Sequence, residues 1–349
     1  MQTDRRTFLK ASGMAAVMAA TGLAGCGDGG GGGSGDWIYD PTEVSDVPNV
    51  AFGSMAYGTL YDNRDQLPAS MQDNFETNPD SPLQPEDIDD MAGVGGGEVS
   101  EDMQTAGAFG SLAITGDIPR GELEAEMESD GSAESAGSYE DYAMYTVSDL
   151  PNSVGGVPGS GQFQGSGAVA IGDDAMVAGF SYAQGLDLGA TGESAVQTMI
   201  DSSAGNAGRL SDTSGPAQRV QDRLSDAMLS IGAEVDPDLV SLAGRLGGGG
   251  MAAQILAGLR GGGLGADVDG DTSTYRFVAV YDSEQAATDA GIADLVSGMQ
   301  AQVEDQEGVE SVDATQDGAV VEVTLTGDTE ALAEQGAGAG PTLDVAAPR

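Results

Sequence analysis

Thr274-Tyr275-Arg276-Phe277-Val278-Ala279-Val280-Tyr281 is the stretch on which the fold class turns. Tyr275, Phe277, Ala279 and Tyr281 alternate with Arg276, Val278 and Val280, and a period of two in aromatic and β-branched residues marks a strand. Ser283 follows as a helix cap, and Ser283 to Asp305 carries the pattern of a long helix. Val309 to Thr315 and Ala319 to Thr326 then flank Gln316-Asp317-Gly318, where Asp-Gly is a strong hairpin signal. The order is strand, helix, strand, strand.

Working upstream, the same order recurs. Ala108 to Thr115 reads as a strand, Gly116 to Pro119 as a turn, and Arg120 to Ser129 as a helix with Leu123 and Met127 on one face. Tyr142 to Val147, Ala168 to Ile171 and Ala175 to Phe180 are strands, the last two joined by Gly172-Asp173-Asp174, and Glu193 to Ser203 is a helix. Nearer the start, Trp37-Ile38-Tyr39 is a packing anchor, Asn49 to Leu60 a strand, and Asn63 to Phe75 and Pro85 to Met91 short helices. The expected architecture is α+β. Two strand-helix-strand-strand, ferredoxin-like units with antiparallel sheet occupy 37–208 and 274–329. A glycine-rich helical insertion, 209–273, joins them, and 330–349 is an Ala/Gly-rich tail expected to be disordered.

The insertion stands apart in charge. From Arg209 to Ala266 five arginines (Arg209, Arg219, Arg223, Arg245, Arg260) nearly balance six acids (Asp212, Asp222, Asp226, Glu234, Asp236, Asp238). Pro216 to Leu229 is amphipathic through Val220, Leu224 and Met228; Pro237 to Leu246 and Met251 to Leu259 read as apolar helices between glycine runs. Two readings follow: a loosely packed insertion, or a helical hairpin turned toward a partner or a membrane.

At the other extreme of the chain, Arg5, Arg6 and Lys10 precede Ala11 to Ala24, about fourteen residues without a charge, too short to span roughly 30 Å of hydrocarbon. Arg5-Arg6-Thr7-Phe8-Leu9-Lys10 resembles a twin-arginine export signal, and Leu23-Ala24-Gly25-Cys26 resembles a lipobox. The resemblance implies that 1–25 is removed, and that Cys26 becomes the lipidated first residue. The chain would then sit on the outer face of the cell membrane, having met the twin-arginine export machinery. Residues 26–36 would be the lipidated cysteine and a glycine-rich tether.

Loss of 1–25 leaves 56 acids against 9 bases, a formal charge of −47, with no lysine because Lys10 is the only one. Such self-repulsion opposes compaction unless salt screens it, and in molar salt the Debye length is about 3 Å. The composition resembles that of surface lipoproteins of extremely halophilic archaea. An apolar content of 40% argues against disorder throughout. Nucleic acid is a poor partner for this charge.

Chemistry is narrowed by what is missing. Without histidine there is no Ser-His-Asp or Cys-His centre and no common zinc, copper or non-haem iron site. Without lysine beyond residue 10 there is no Schiff base or phosphate-loop chemistry. Carboxylates remain, and Asp267, Asp269 and Asp271 stand at the i, i+2, i+4 spacing that grips calcium, although an EF-hand would need glycine at Thr272 and glutamate at Val278. No cofactor is expected beyond the lipid on Cys26 and a weakly held divalent cation. The expected function is a non-enzymatic, lipid-anchored protein that binds or scaffolds an envelope component. The alternatives are a solute-binding receptor of a membrane transporter and, third, a carboxylate-based hydrolase.

Overall fold

Short apolar strands need partners on both sides, and the chain meets that need with one antiparallel sheet. The computed structural model describes residues 34–332 apart from 68–71, 73, 74, 76–80, 101–104, 132, 148–163, 214, 239, 241–250, 305 and 307. In chain order the elements are β1 (Asn49–Met55), α1 (Tyr57–Asp62), β2 (Ile88–Val99), β3 (Ala106–Gly116), α2 (Arg120–Asp130), β4 (Ala133–Tyr139), β5 (Tyr142–Val147), β6 (Gln164–Ile171), β7 (Ala175–Gln184) and α3 (Gly192–Ser203). Then come α4 (Pro216–Leu224), β8 (Leu229–Glu234), α5 (Met251–Leu256), β9 (Leu259–Asp269), β10 (Thr272–Tyr281), α6 (Glu284–Ala290), α7 (Ile292–Glu304), β11 (Val309–Asp317) and β12 (Val320–Asp328). The sheet order is β11-β12-β10-β9-β8-β1-β2-β3-β7-β6-β5-β4.

The fold class is therefore α+β with twelve antiparallel strands. In both halves a strand leads into helix and a meander returns to pair with that strand: β10 with β12, and β3 with β7. The first meander has four strands and the second two. β1 joins the halves, with Val50 opposite Gly96 on one side and Glu234 on the other.

Register divides the side chains between two faces. On β3, Phe109 and Ala113 enter the cluster beneath α3 and α4, with Val196, Met199, Val220 and Leu224; Leu112 and Ile114 turn the other way, toward Leu123 and Met127 of α2. α6 covers the same second face beside Tyr281 and Val321.

Four expectations are corrected. Asn49 to Leu60 is a strand only as far as Met55, after which Tyr57–Asp62 forms α1. Pro85–Asp87 makes a single helical turn and the chain then extends into β2, so Pro85 to Met91 is not a helix. The segment 209–273 is not a helical insertion: it supplies α4 as expected, but also β8, β9 and the start of β10, all inside the sheet. Ser283 caps as expected, accepting a hydrogen bond from the Ala286 N–H, but the long helix breaks at Gly291, whose φ of 67° ends α6 before α7 begins. In 63–75 the described residues form a single helical turn, Arg64–Gln66, and 68–71, 73 and 74 lie outside them, as does most of 237–246 and 330–349.

Glycine in β9 has a packing reason. A Cβ on Gly263 would stand 2.5 Å from Val220 Cγ1 and 2.7 Å from the Ile231 carbonyl oxygen, so its absence lets α4 lie directly on the sheet. Buried tyrosines complete the core. Tyr281 donates to the Ile255 carbonyl at 2.9 Å, and burial pushes its hydroxyl up to about 12. Burial does the same to Tyr57, with the Tyr61 phenol adding to it, and raises Tyr39 further still. A phenol whose folded pKa lies above its unfolded value near 10 stabilises fully below that value, and the contribution is lost as pH rises through the folded value. We expect alkaline unfolding to begin above pH 10, with phenolate absorbance and circular dichroism changing together, and Tyr281→Phe to move the transition upward. Phenolate appearing without loss of structure would refute this.

Candidate functional site

The export signal (Arg5, Arg6, Phe8, Leu9, Lys10) and the lipobox (Leu23, Ala24, Gly25, Cys26) lie outside the described residues. What is described is where the chain that follows them joins the body. Ser34–Trp37 forms a single turn, and Ile38, 1% exposed, and the fully buried Tyr39 insert behind it. Asp36 meets Arg209 at 2.6 Å, its carbonyl accepts from the Ser202 hydroxyl at 3.0 Å, and Tyr39 bridges to the Arg209 backbone. The Ser111 hydroxyl donates to Tyr39 Oη at 3.3 Å in the buried layer. The entry point is thus fixed on the α3/α4 face by partners far away in sequence.

The nearly neutral segment is pinned as firmly. Arg223 of α4 reaches Asp317 at 2.5 Å and Glu322 at 3.4 Å, across to β11 and β12. Arg276 of β10 reaches Asp226 at 2.7 Å, Asp267 at 2.9 Å and the Arg223 carbonyl at 3.2 Å. Arg223 and Arg276 thus neutralise acids of their own domain and tie α4 to the sheet. Residues 241–250, in the middle of the expected helical hairpin, lie outside the described residues.

Asp267 has a second role, accepting the Met228 N–H at 3.0 Å. Asp269 ends β9, and Asp271 lies in the two-residue turn to β10, where Gly270 has a φ of 61°. Among the described residues no three acidic side chains are grouped so as to hold a metal ion. Asp90 is the one carboxylate among them whose pKa is clearly raised, by burial first and by Asp89 second. No described helix is long and apolar enough to cross a membrane.

The feature the sequence reading missed is a difference between the two faces. Asp89, Arg260 and Glu310 stand at shifts of register. Every other charged strand residue, from Asp90 and Glu98 through Glu234, Asp267, Asp269 and Arg276 to Asp313, Asp317, Glu322 and Asp328, lies on the α3/α4 face. The opposite face carries none in regular register. On that face Phe277 is 45% exposed, Ile231 and Leu264 are half-buried against the cluster that holds Leu60 and Leu229, and Phe180 and Tyr182 are half-buried. The rings of Phe180 and Tyr182 stack 6.2 Å apart. The signal was present in the alternation of β10, which sends Phe277 away from Arg276, but the faces of β2, β8 and β9 are readable only once their register is known.

No family model and no curated protein matches the chain. Among solved structures, crystal form IV of TP0453 aligns over 86% of this chain and 98% of that one, at 11% identity and a TM-score of 0.42. Crystal form III of TP0453 aligns over 84% and 96%, at 11% identity and 0.41. A likeness that distant carries no argument about this chain.

Proposed function

We propose that the chain is an extracytoplasmic protein of halophilic archaeal type, lipid-anchored through Cys26, that binds or scaffolds an envelope component and does no chemistry. The observation that carries this is the short link between the lipobox and a fixed entry point. Seven residues separate Cys26 from Ser34, and the eight steps between them reach roughly 28 Å when extended, so an anchor at Cys26 would hold the α3/α4 face toward the membrane. The uncharged face would then look outward. An unbroken antiparallel sheet also supports this reading over a transport receptor, whose two lobes would flank a ligand cleft. The absence of histidine, and of lysine beyond Lys10, supports it over a hydrolase, for which no pair of close carboxylates with separated pKa values stands out among the described residues.

We read the two strand-helix-meander halves as a duplication of a ferredoxin-like half, enlarged in the first copy by one hairpin. β11, β12 and β10 have the order of a split β-α-β unit.

Expression of Cys26→Ser in a halophilic archaeal host is the direct test. The wild-type chain is expected in the membrane fraction, released only by detergent, and the variant is expected to lose that association or remain unprocessed. A Cys26→Ser chain that is processed and stays in the membrane as before would end the proposal.

A further inference from the structure

We propose that the last glycine of the tether, Gly33, pairs with the side-chain amide of Gln221 on α4, so that the tether leaves the body along that helix from a fixed point. An unmet polar group is the first argument. The buried stripe of α4 is Ala217, Val220, Gln221 and Leu224, and Gln221, 8% exposed, is its one polar member. Its Oε1 is the one buried side-chain oxygen or nitrogen without a hydrogen-bond partner among the described residues. An amide buried in that state opposes folding, whereas an apolar side chain of the same size would not, and buried amides in folded proteins nearly always find a donor.

Position is the second argument. A Cβ on Gly35 would stand 3.8 Å from Gln221 Nε2, so the amide lies beside the turn Ser34–Trp37. That turn is held in place through Asp36, by Arg209 at 2.6 Å and by the Ser202 hydroxyl at 3.0 Å. Gly33 is two residues upstream of Gly35, within about 7 Å of it even when the chain is extended. The backbone that enters the turn therefore passes the amide.

Composition is the third. Gly29 to Gly33 are consecutive glycines, and a backbone without Cβ atoms can lie directly against a helix. The Gly33 N–H donates to Gln221 Oε1 and the Gly33 carbonyl accepts from Nε2, because a glutamine amide offers a passing backbone the same donor and acceptor that a neighbouring strand would. The pairing stands whether or not Cys26 carries a lipid. With the anchor proposed above, it shortens the free link to Gly27–Gly32 and sets the direction in which that link departs.

The test is a double-mutant cycle in the full chain with Cys26→Ser, unfolded by urea in molar salt. Gly33→Pro removes the N–H from the tether and leaves every packed element unchanged. It is expected to lower the folding equilibrium constant about five-fold, and to have no such effect in the Gln221→Leu background. A nitroxide on Gly31→Cys gives a second reading, its thiol being the only one because Cys26 is the only native cysteine. The label should be slowed in the parent chain and freed by Gly33→Pro or by Gln221→Leu, so Gly33→Pro alone decides should Gln221→Leu fail to fold. A Gly33→Pro effect of equal size in both backgrounds, zero included, overturns the proposal and leaves the amide to an ordered water. So does a nitroxide that moves freely in the parent chain.

Discussion

Gly263→Val is expected to lower stability by about 3 kcal/mol, read as a lower denaturant midpoint in molar salt with little change in slope. The cost comes from the helix above. Val220 Cγ1, Leu224 Cδ1 and the Ile231 carbonyl oxygen all stand within 2.8 Å of where a Cβ would be, and the oxygen belongs to a neighbouring strand that cannot swing aside. α4 would have to lift, and its lifting strains the ion pairs of Arg223 and Arg276. Gly121→Ala is the matched control. It lies in α2 with nothing within 4 Å of the new methyl, and should raise stability by about 0.5–1 kcal/mol. If the two substitutions had similar effects, the close seating of α4 on β9 would be wrong.

Transfer from molar salt to about 10 mM salt is expected to unfold the protein, because the Debye length grows from about 3 Å to about 30 Å and the carboxylates then repel one another across the whole molecule. The few ion pairs cannot resist this. They lie mostly at the surface and are each worth about 0–1 kcal/mol, whereas a domain has only about 5–15 kcal/mol in all. Circular dichroism through a dialysis series measures the outcome, and full structure at the low-salt end would contradict it. Asp90 gives a secondary expectation of known sign. Its folded pKa is raised, so its contribution favours the native state below the unfolded carboxylate range and is lost as pH rises through the folded value.

The C-terminal half of the fold was legible where local chemistry alone decides. Alternation in β10, the Ser283 cap and the Asp-Gly hairpin all fall where the sequence places them, and Thr191 and Ser194 cap α3 reciprocally. β2 and β9 were not legible. Their glycines, Gly93, Gly95, Gly96 and Gly97 in one and Gly261, Gly262, Gly263 and Gly265 in the other, read as breaks in any local scale. What makes them strand residues is what lies over them: Phe109 and Val47 against Gly96, Val220 and Leu224 against Gly263. Most of those contacts join residues that are dozens of positions apart. The helical turn at Pro85 was read correctly for its first three residues and wrongly beyond, because pairing with β3 pulls Ile88 onward into the sheet. For the candidate site the balance is similar. The N-terminal motifs are entirely local and lie outside the described residues, while the uncharged face exists only through the register of strands from both halves.

The position of β1 imposes an order in time. It is the first strand to leave the ribosome, yet one of its two neighbours is β8, with Val50 opposite Glu234, so the sheet cannot become continuous until about two thirds of the chain has been made. Until then β1 exposes an unpaired edge in the middle of the future sheet. A protein built this way is complete all at once and late, which suits an exporter that accepts finished cargo and would penalise one that threads the chain as it is made.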